Sequence, residues 1–175
     1  LADQFGRVAG GTRGGRGSGK SGMIEIDVPG QQLLDRTCVG VDAEWVEARF
    51  VVGLPASGRR VLGRQAEQML CDDVPDIVQR ALRYGSNDGH VIQRYVEASE
   101  DADSIRNGLD ERGLVAFVGE GSVLPRRSGV DDRPLEDGSV VPFFGPEELR
   151  VELDLPNTGR VEGMGIPKGV TLIVG

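Results

Sequence analysis

The period of the hydrophobic pattern changes along the chain, and this change constrains the fold more than any other feature. In residues 23–52 apolar residues alternate with polar ones, which is typical of β-strands with one buried face. In residues 62–82 they recur every three or four positions, which predicts helices with one buried side. Residues 114–118 and 149–155 return to the strand pattern. A mixed α+β architecture is therefore expected.

The turn residues between these segments give approximate bounds. Three predicted strands follow one another through short turns, so we expect an antiparallel meander. They span residues 23–28, 37–41 and 45–52. Three predicted helices come next, and they span residues 62–70, 74–82 and 101–112. Asp73 is the predicted N-cap of the second helix, and Gly113 ends the third.

A basic, glycine-rich segment precedes the first strand. Residues 14–21 match the pattern G-x-x-x-x-G-K-[ST] of a phosphate-binding loop. Such a loop needs a buried strand before it and a helix starting at its lysine, because the helix amides bind the phosphate. Residues 22–29 instead have the period of a strand and end in a proline. We interpret residues 1–22 as a helix end followed by a basic loop, with a working phosphate loop as the less favoured alternative.

The last residues resemble the approach to a different phosphate-binding loop. A turn at residues 167–169 leads into an apolar run, predicted to be a strand at 170–174, that ends on Gly175. Buried strands deliver glycine-rich loops to phosphates in this way, so we predict Gly175 as a cofactor-binding residue. A plain strand-end glycine is the alternative. Because no loop lysine follows and Leu1 is not methionine, we expect a piece of a longer chain without the catalytic motifs.

Three cations of the glycine-rich segment are candidates for binding RNA or another anion. The formal net charge of the chain is −8, which argues against a general nucleic-acid surface. Arg13, Arg16 and Lys20 nevertheless lie among glycines, with Asp3 the only acidic residue in residues 1–22. Segments of this composition contact RNA phosphates, although the shortage of aromatic residues leaves little base stacking.

A second pair of candidate cations lies in a turn of the C-terminal half. Arg126 and Arg127 follow a proline, and two arginines there could clamp a phosphate or an RNA backbone. They could equally pair with Asp131 and Asp132 in a structural network. Both interpretations stay open at the level of the sequence.

Other residues with functional side chains are interpreted as structural. Arg59 and Arg60 are interpreted as a pair at the start of a helix. A structural role is favoured for them, because cations in a first helical turn oppose the helix dipole and would need an acidic partner. Phe143 and Phe144 could stack near an adenine, but a buried plug between domains is favoured. His90 has no catalytic partner in the sequence. A solvated acidic helix start is the simplest interpretation of four further residues, Glu97, Glu100, Asp101 and Asp103.

The residue types predict neither a metal site nor a catalytic residue in this chain. Cys38 and Cys71 lie too far apart in sequence to form a zinc pattern with the single histidine, so they are interpreted as thiols in a reducing cytoplasm. No apolar run reaches the roughly 18 residues that a membrane helix needs. A cytoplasmic location without a membrane partner is expected.

Several separate motifs carry a resemblance to a known family. They are Gly-Ser-Gly-Lys-Ser-Gly at 17–22, Gly-Leu-Pro-Ala-Ser-Gly-Arg at 53–59, Gly-Leu-Val-Ala-Phe-Val at 113–118, Gly-Ser-Val-Leu-Pro-Arg-Arg-Ser-Gly at 121–129, Leu-Pro-Asn at 155–157 and Gly-Met-Gly-Ile-Pro-Lys-Gly-Val-Thr-Leu-Ile-Val-Gly at 163–175. In this order the motifs closely resemble the predicted ATPases of the ABC class.

The resemblance implies a fold class, a domain organisation and a cofactor. We expect an α+β accessory domain of antiparallel strands and helices at residues 23–142. The first strands of an α/β P-loop domain of the ABC type would follow at residues 143–175. The resemblance also implies that the intact parent binds ATP and Mg²⁺, hydrolyses ATP and self-associates through its ABC domains. The rival function is an RNA- or anion-binding module.

Overall fold

The computed structural model consists of two compact units and describes residues 1–12, 16–30 and 36–172. The units are Leu1–Ile92 and Gln93–Gly175. The sequence predicted a boundary near residues 142–143 instead. That boundary would separate strands of one sheet, because residues 114–119 pair with residues 159–167. The division of the chain therefore lies earlier than predicted.

The helices of the first unit form where the apolar stripes predicted them. They are α1 (Ala2–Gly11), α2 (Gly63–Gln68), a π-helical turn (Met69–Asp73) and α3 (Val74–Ala81). Asp73 is not an N-cap, which corrects the prediction. Its backbone is helical and its side chain makes no capping bond, whereas an N-cap residue has non-helical dihedral angles.

Short antiparallel strand pairs make up the rest of this unit. The strands are β1 (Ile24–Ile26), β2 (Val39–Val41), β3 (Val46–Ala48), β4 (Phe50–Val52), β5 (Ala56–Ser57) and β6 (Arg60–Val61). They form three separate pairs, β1 with β4, β2 with β3 and β5 with β6. The expected meander therefore does not form, because β1 and β2 are not paired. The predicted strand 45–52 is interrupted at Arg49, and its two parts pair with different partners.

The core of the first unit lies between helices α1 and α3 and the β1–β4 pair. Phe5, Met69 and Ile77 are completely buried there. The Phe5 ring lies 5.0 Å from the ring of Phe50, which ties α1 to β4. Burying side chains of this size contributes about 1.5–3 kcal/mol each. The glycine-rich loop is thus attached to a packed scaffold.

Helix α4 (Gly89–Leu109) begins well before the predicted start at residue 101. Asp88 explains the early start, because its Oδ1 accepts hydrogen bonds from the amides of His90 (2.9 Å) and Val91 (3.4 Å). A carboxylate in this position satisfies amides that the helix leaves free. Gly113, with φ of +66°, follows the helix as predicted, since this left-handed conformation suits glycine.

The second unit contains a three-stranded antiparallel sheet. Its strands are β7 (Leu114–Gly119), β8 (Arg150–Leu155) and β9 (Gly159–Pro167), in the order β7–β9–β8. Strands β7 and β8 agree with the predicted strands to within a residue at each end. The central strand, β9, was not predicted. The fold class is α+β.

The end of the described chain does not form the expected strand. Residues 170–172 have no regular secondary structure, and Val170 and Leu172 are fully or largely exposed. The remaining residues of the predicted strand lie outside the described residues.

Candidate functional site

The glycine-rich loop, residues 16–22, is held against the segment that follows β4. Gly17 forms a parallel β-bridge with Ala56, the Gly22 amide donates to the Gly53 carbonyl (2.7 Å), and the Gly53 amide donates to the Met23 carbonyl (2.8 Å). A Cβ on Gly53 would lie 2.0 Å from the carbonyl oxygen of Lys20. Glycine is therefore required for this close approach of two backbones.

Arg16 anchors the start of the same loop. Its guanidinium forms an ion pair with the carboxylate of Asp73, and both side chains are only 17% exposed. The two residues are 57 positions apart in sequence. Because its charge is matched and mostly shielded from solvent, Arg16 is placed as a structural residue in this unit.

Lys20 lies exposed on the loop and has no acidic partner among the described residues. The loop does not have the geometry of a phosphate-binding loop, because it leads into strand β1. The amides of Ser21 and Gly22 are already bonded to the carbonyls of Ser18 and Gly53. The residues present therefore do not fit the phosphates of a nucleotide, and no reaction step is assigned to them.

The loop that carries Arg126 and Arg127 contains its own acidic partners. Arg127 forms ion pairs with Glu136 (2.8 Å) and, at 3.9 Å, with Asp131. The structural network considered from the sequence is thus present for Arg127. Arg126 forms an isolated β-bridge with Pro134 and is exposed, without an acidic partner among the described residues.

Asp131 is the carboxylate of this loop that contacts two arginines, Arg127 and Arg133. The guanidinium of Arg133 donates two hydrogen bonds to it, at 2.8 and 2.6 Å. These bonds favour the ionised carboxylate and lower the pKa of Asp131 to about 2. The carboxylate therefore stays charged across the physiological range, and the loop is not a free cationic clamp.

The chain after β7 contacts the segment around Phe143. The Gly121 amide donates to the Phe143 carbonyl (2.8 Å), and the Gly145 amide donates to Oε1 of Glu120 (3.0 Å). Oε2 of Glu120 is buried and has no hydrogen-bond partner in the described part of the chain. Phe143 is half-buried and Phe144 is 71% exposed, so a plug formed by both rings is not present within this unit.

Asp101 is the one buried charged residue among those described, which corrects its interpretation as part of a solvated helix start. Its carboxylate accepts hydrogen bonds from the Thr158 hydroxyl (2.6 Å) and from the amides of Thr158 (3.0 Å) and Asn157 (2.9 Å). These bonds, that of the Thr158 hydroxyl first, lower the pKa of Asp101. The residue therefore fixes the β8–β9 turn to helix α4.

Two of the predicted site residues, Arg13 and Gly175, lie outside the described residues. Of the other four, Arg16 and Lys20 belong to the first unit, and Arg126 and Arg127 to the second. Within the described ranges no group of three or more histidine, cysteine, aspartate or glutamate residues is arranged to hold a metal ion. No helix in these ranges is long and apolar enough to cross a membrane.

Arg59 and Arg60 are cations whose exposure the sequence did not indicate. Arg59 lies in the β5–β6 turn beside Gly58, which has a φ of +57°, Arg60 is the first residue of β6, and both arginines are exposed. They precede helix α2 rather than lie in its first turn, so the dipole argument does not apply. The turn sequence Ser-Gly-Arg-Arg between two short strands was the available signal.

Comparison with known protein families gives two matches that together span almost all of the chain. One family, described as the P-loop domain of the ABC ATPases, matches residues 88–175. The other, described as the N-terminal domain of ATPases of the ABC class, matches residues 2–85. The chain belongs to the ABC-class ATPase family. No curated protein matches it.

Proposed function

We propose that this chain belongs to a protein that binds and hydrolyses ATP with Mg²⁺. The two family matches, in the order N-terminal domain and then P-loop domain, are the observation that carries the proposal. Nucleotide binding follows from the family, whereas hydrolysis, a cytoplasmic location and self-association through the P-loop domains are the finer parts proposed here.

The phosphate contacts are assigned to a glycine-rich loop that begins at Gly175. The alternative loop at residues 14–21 is disfavoured by the strand that follows it and by the amides that are already bonded. No catalytic residue is proposed among the described residues, and residues 1–175 by themselves are expected to be inactive. The N-terminal unit is proposed as an accessory domain of the ATPase.

The first prediction separates the two possible phosphate loops. Lys20→Ala in the natural full-length protein should leave ATP affinity unchanged within about twofold, because the loop around Lys20 leads into a strand and lacks the helix start of a nucleotide-binding phosphate loop. Gly175→Val should abolish binding, because a branched side chain would fill the space of the phosphate. Isothermal titration calorimetry with a non-hydrolysable ATP analogue measures both.

Arg83→Ala serves as the control, since Arg83 is an exposed arginine in the same unit as Lys20. Loss of ATP affinity in Lys20→Ala, with Arg83→Ala unaffected, would contradict the assignment. Circular dichroism of each variant separates loss of a contact from loss of the fold.

The rival function, RNA or anion binding by the five predicted cations, is weakened by their surroundings. Arg16 is paired with Asp73, and Arg127 is paired with Glu136. Two of the four cations that the structure describes are therefore engaged in ion pairs within the protein.

A further inference from the structure

A different group of cations lies on two segments of the first unit whose backbones are in contact. The glycine-rich loop and the β5–β6 hairpin meet at the Gly17–Ala56 bridge. Lys20 lies on the first element, and Arg59 and Arg60 lie on the second. We call these three residues the loop surface.

The charge of the loop surface is not compensated locally. All three side chains are exposed, and none forms an ion pair within the described residues. Residues 16–24 and 50–66 contain neither aspartate nor glutamate. Asp73 reaches the glycine-rich loop, but it is already paired with Arg16. The loop surface is therefore a local concentration of positive charge, although the net charge of the whole chain is −8.

The glycine-rich loop also presents unused backbone donors. The amides of Gly19 and Lys20 have no acceptor in the described part of the chain, and both residues are exposed. Gly19 has a φ of +64°, a conformation that glycine adopts without strain. Successive exposed amides beside cations form a concave site for anionic oxygens.

The arrangement fits an extended anion better than a compact one. The cations lie on two exposed segments, the glycine-rich loop and the β5–β6 hairpin. These segments also lack an exposed aromatic ring on which a base could stack. Such a surface contacts a phosphate backbone and carries little base preference.

We propose that the loop surface binds the phosphate backbone of single-stranded nucleic acid, without preference for base sequence. This proposal does not depend on ATP binding by the P-loop domain. It also differs from the rival function above, because it assigns Arg16 and Arg127 to structure and adds Arg59 and Arg60.

The test compares two double variants with the same change in charge. Arg59→Ala with Arg60→Ala removes two cations of the loop surface, and Arg83→Ala with Arg94→Ala removes two exposed arginines elsewhere that lack acidic partners in the described chain. Binding of a fluorescent 20-nucleotide RNA is measured by anisotropy from about 50 mM salt upwards. The full-length protein is used without ATP.

The loop-surface variant should bind about tenfold more weakly or worse, and the control within about twofold of the unmodified protein. The slope of log K against log salt should become shallower by about 1.4, because each phosphate contact on a single strand contributes about 0.7. Lys20→Ala should weaken binding in the same direction. RNAs of uridine alone and of adenosine alone should bind equally.

Four results would overturn the proposal. They are no binding at the lowest salt, an equal loss in the two double variants, a strong preference for one base, and complete displacement of the RNA by equimolar tripolyphosphate. The last result would identify the site as one for a compact phosphate group. Thermal unfolding of each variant shows that a loss of binding is not a loss of the fold.

Discussion

At the scale of single residues, Asp101 is a buried carboxylate that holds the β8–β9 turn to helix α4. Asp101→Asn should lower the melting temperature by several degrees, because an amide presents one oxygen where the carboxylate accepts bonds with both. Thermal unfolding at pH 7 measures the change. Asp103→Asn is the matched control, since Asp103 is exposed and forms an ion pair with Arg106 on the same helix.

The same residue gives a prediction about pH. The folded-state pKa of Asp101 is lowered, so its stabilising contribution is present above the ordinary carboxyl pKa near 3.8 and is lost as the pH falls through the folded value. The difference in stability between the unmodified protein and Asp101→Asn should therefore shrink as the pH is lowered from 5 towards 2. A difference that stays constant over this range would contradict the assignment.

Residue partners explain why the candidate site was only partly predictable. The acidic partners of Arg127 lie within nine positions of it in the sequence. A structural network at this arginine could therefore be considered from the sequence alone. The partner of Arg16 is 57 positions away, in a π-helical turn that no local pattern indicates. Lys20, Arg59 and Arg60 lie on two segments that a backbone bridge joins at Gly17 and Ala56, which composition does not reveal.

At the scale of elements, strand β9 is the feature that the sequence concealed. Strands β7 and β8 were predicted from apolar residues, but β9 contains glycines at the positions where its neighbours approach. A Cβ on Gly163 would lie 2.4 Å from the Val118 carbonyl oxygen and 2.5 Å from Cζ of Phe117. Because glycine has no side chain, the neighbouring strands can approach β9 closely. The same glycines interrupt the alternation of apolar and polar residues that would have predicted a strand.

This close approach leads to a stability prediction for β9. Gly163→Ala should destabilise the protein by about 1–3 kcal/mol, because the strand must move to accommodate the methyl group. Gly138→Ala should change stability by less than about 0.5 kcal/mol, since a Cβ there meets no atom within 4 Å. Urea unfolding of both variants gives the comparison, and equal free energies of unfolding would contradict the central position of β9.

At the scale of the whole molecule, the two compact units correspond closely to the two family matches. The units divide at Ile92 and Gln93, and the matched ranges divide between residues 85 and 88. The sequence motifs were sufficient to indicate the family and the α+β class. In the structure the sheet of the second unit begins with β7, which lies before the boundary predicted near residues 142–143.

The most direct test of the proposed function is hydrogen exchange by the natural full-length protein with and without Mg²⁺–ATP. Peptides containing Gly175 should become protected when nucleotide binds, because the phosphates would occupy the amides of that loop. Peptides covering residues 16–22 should exchange at the same rate in both states. Protection of residues 16–22, with no change at Gly175, would contradict the account and place the nucleotide on the N-terminal glycine-rich loop.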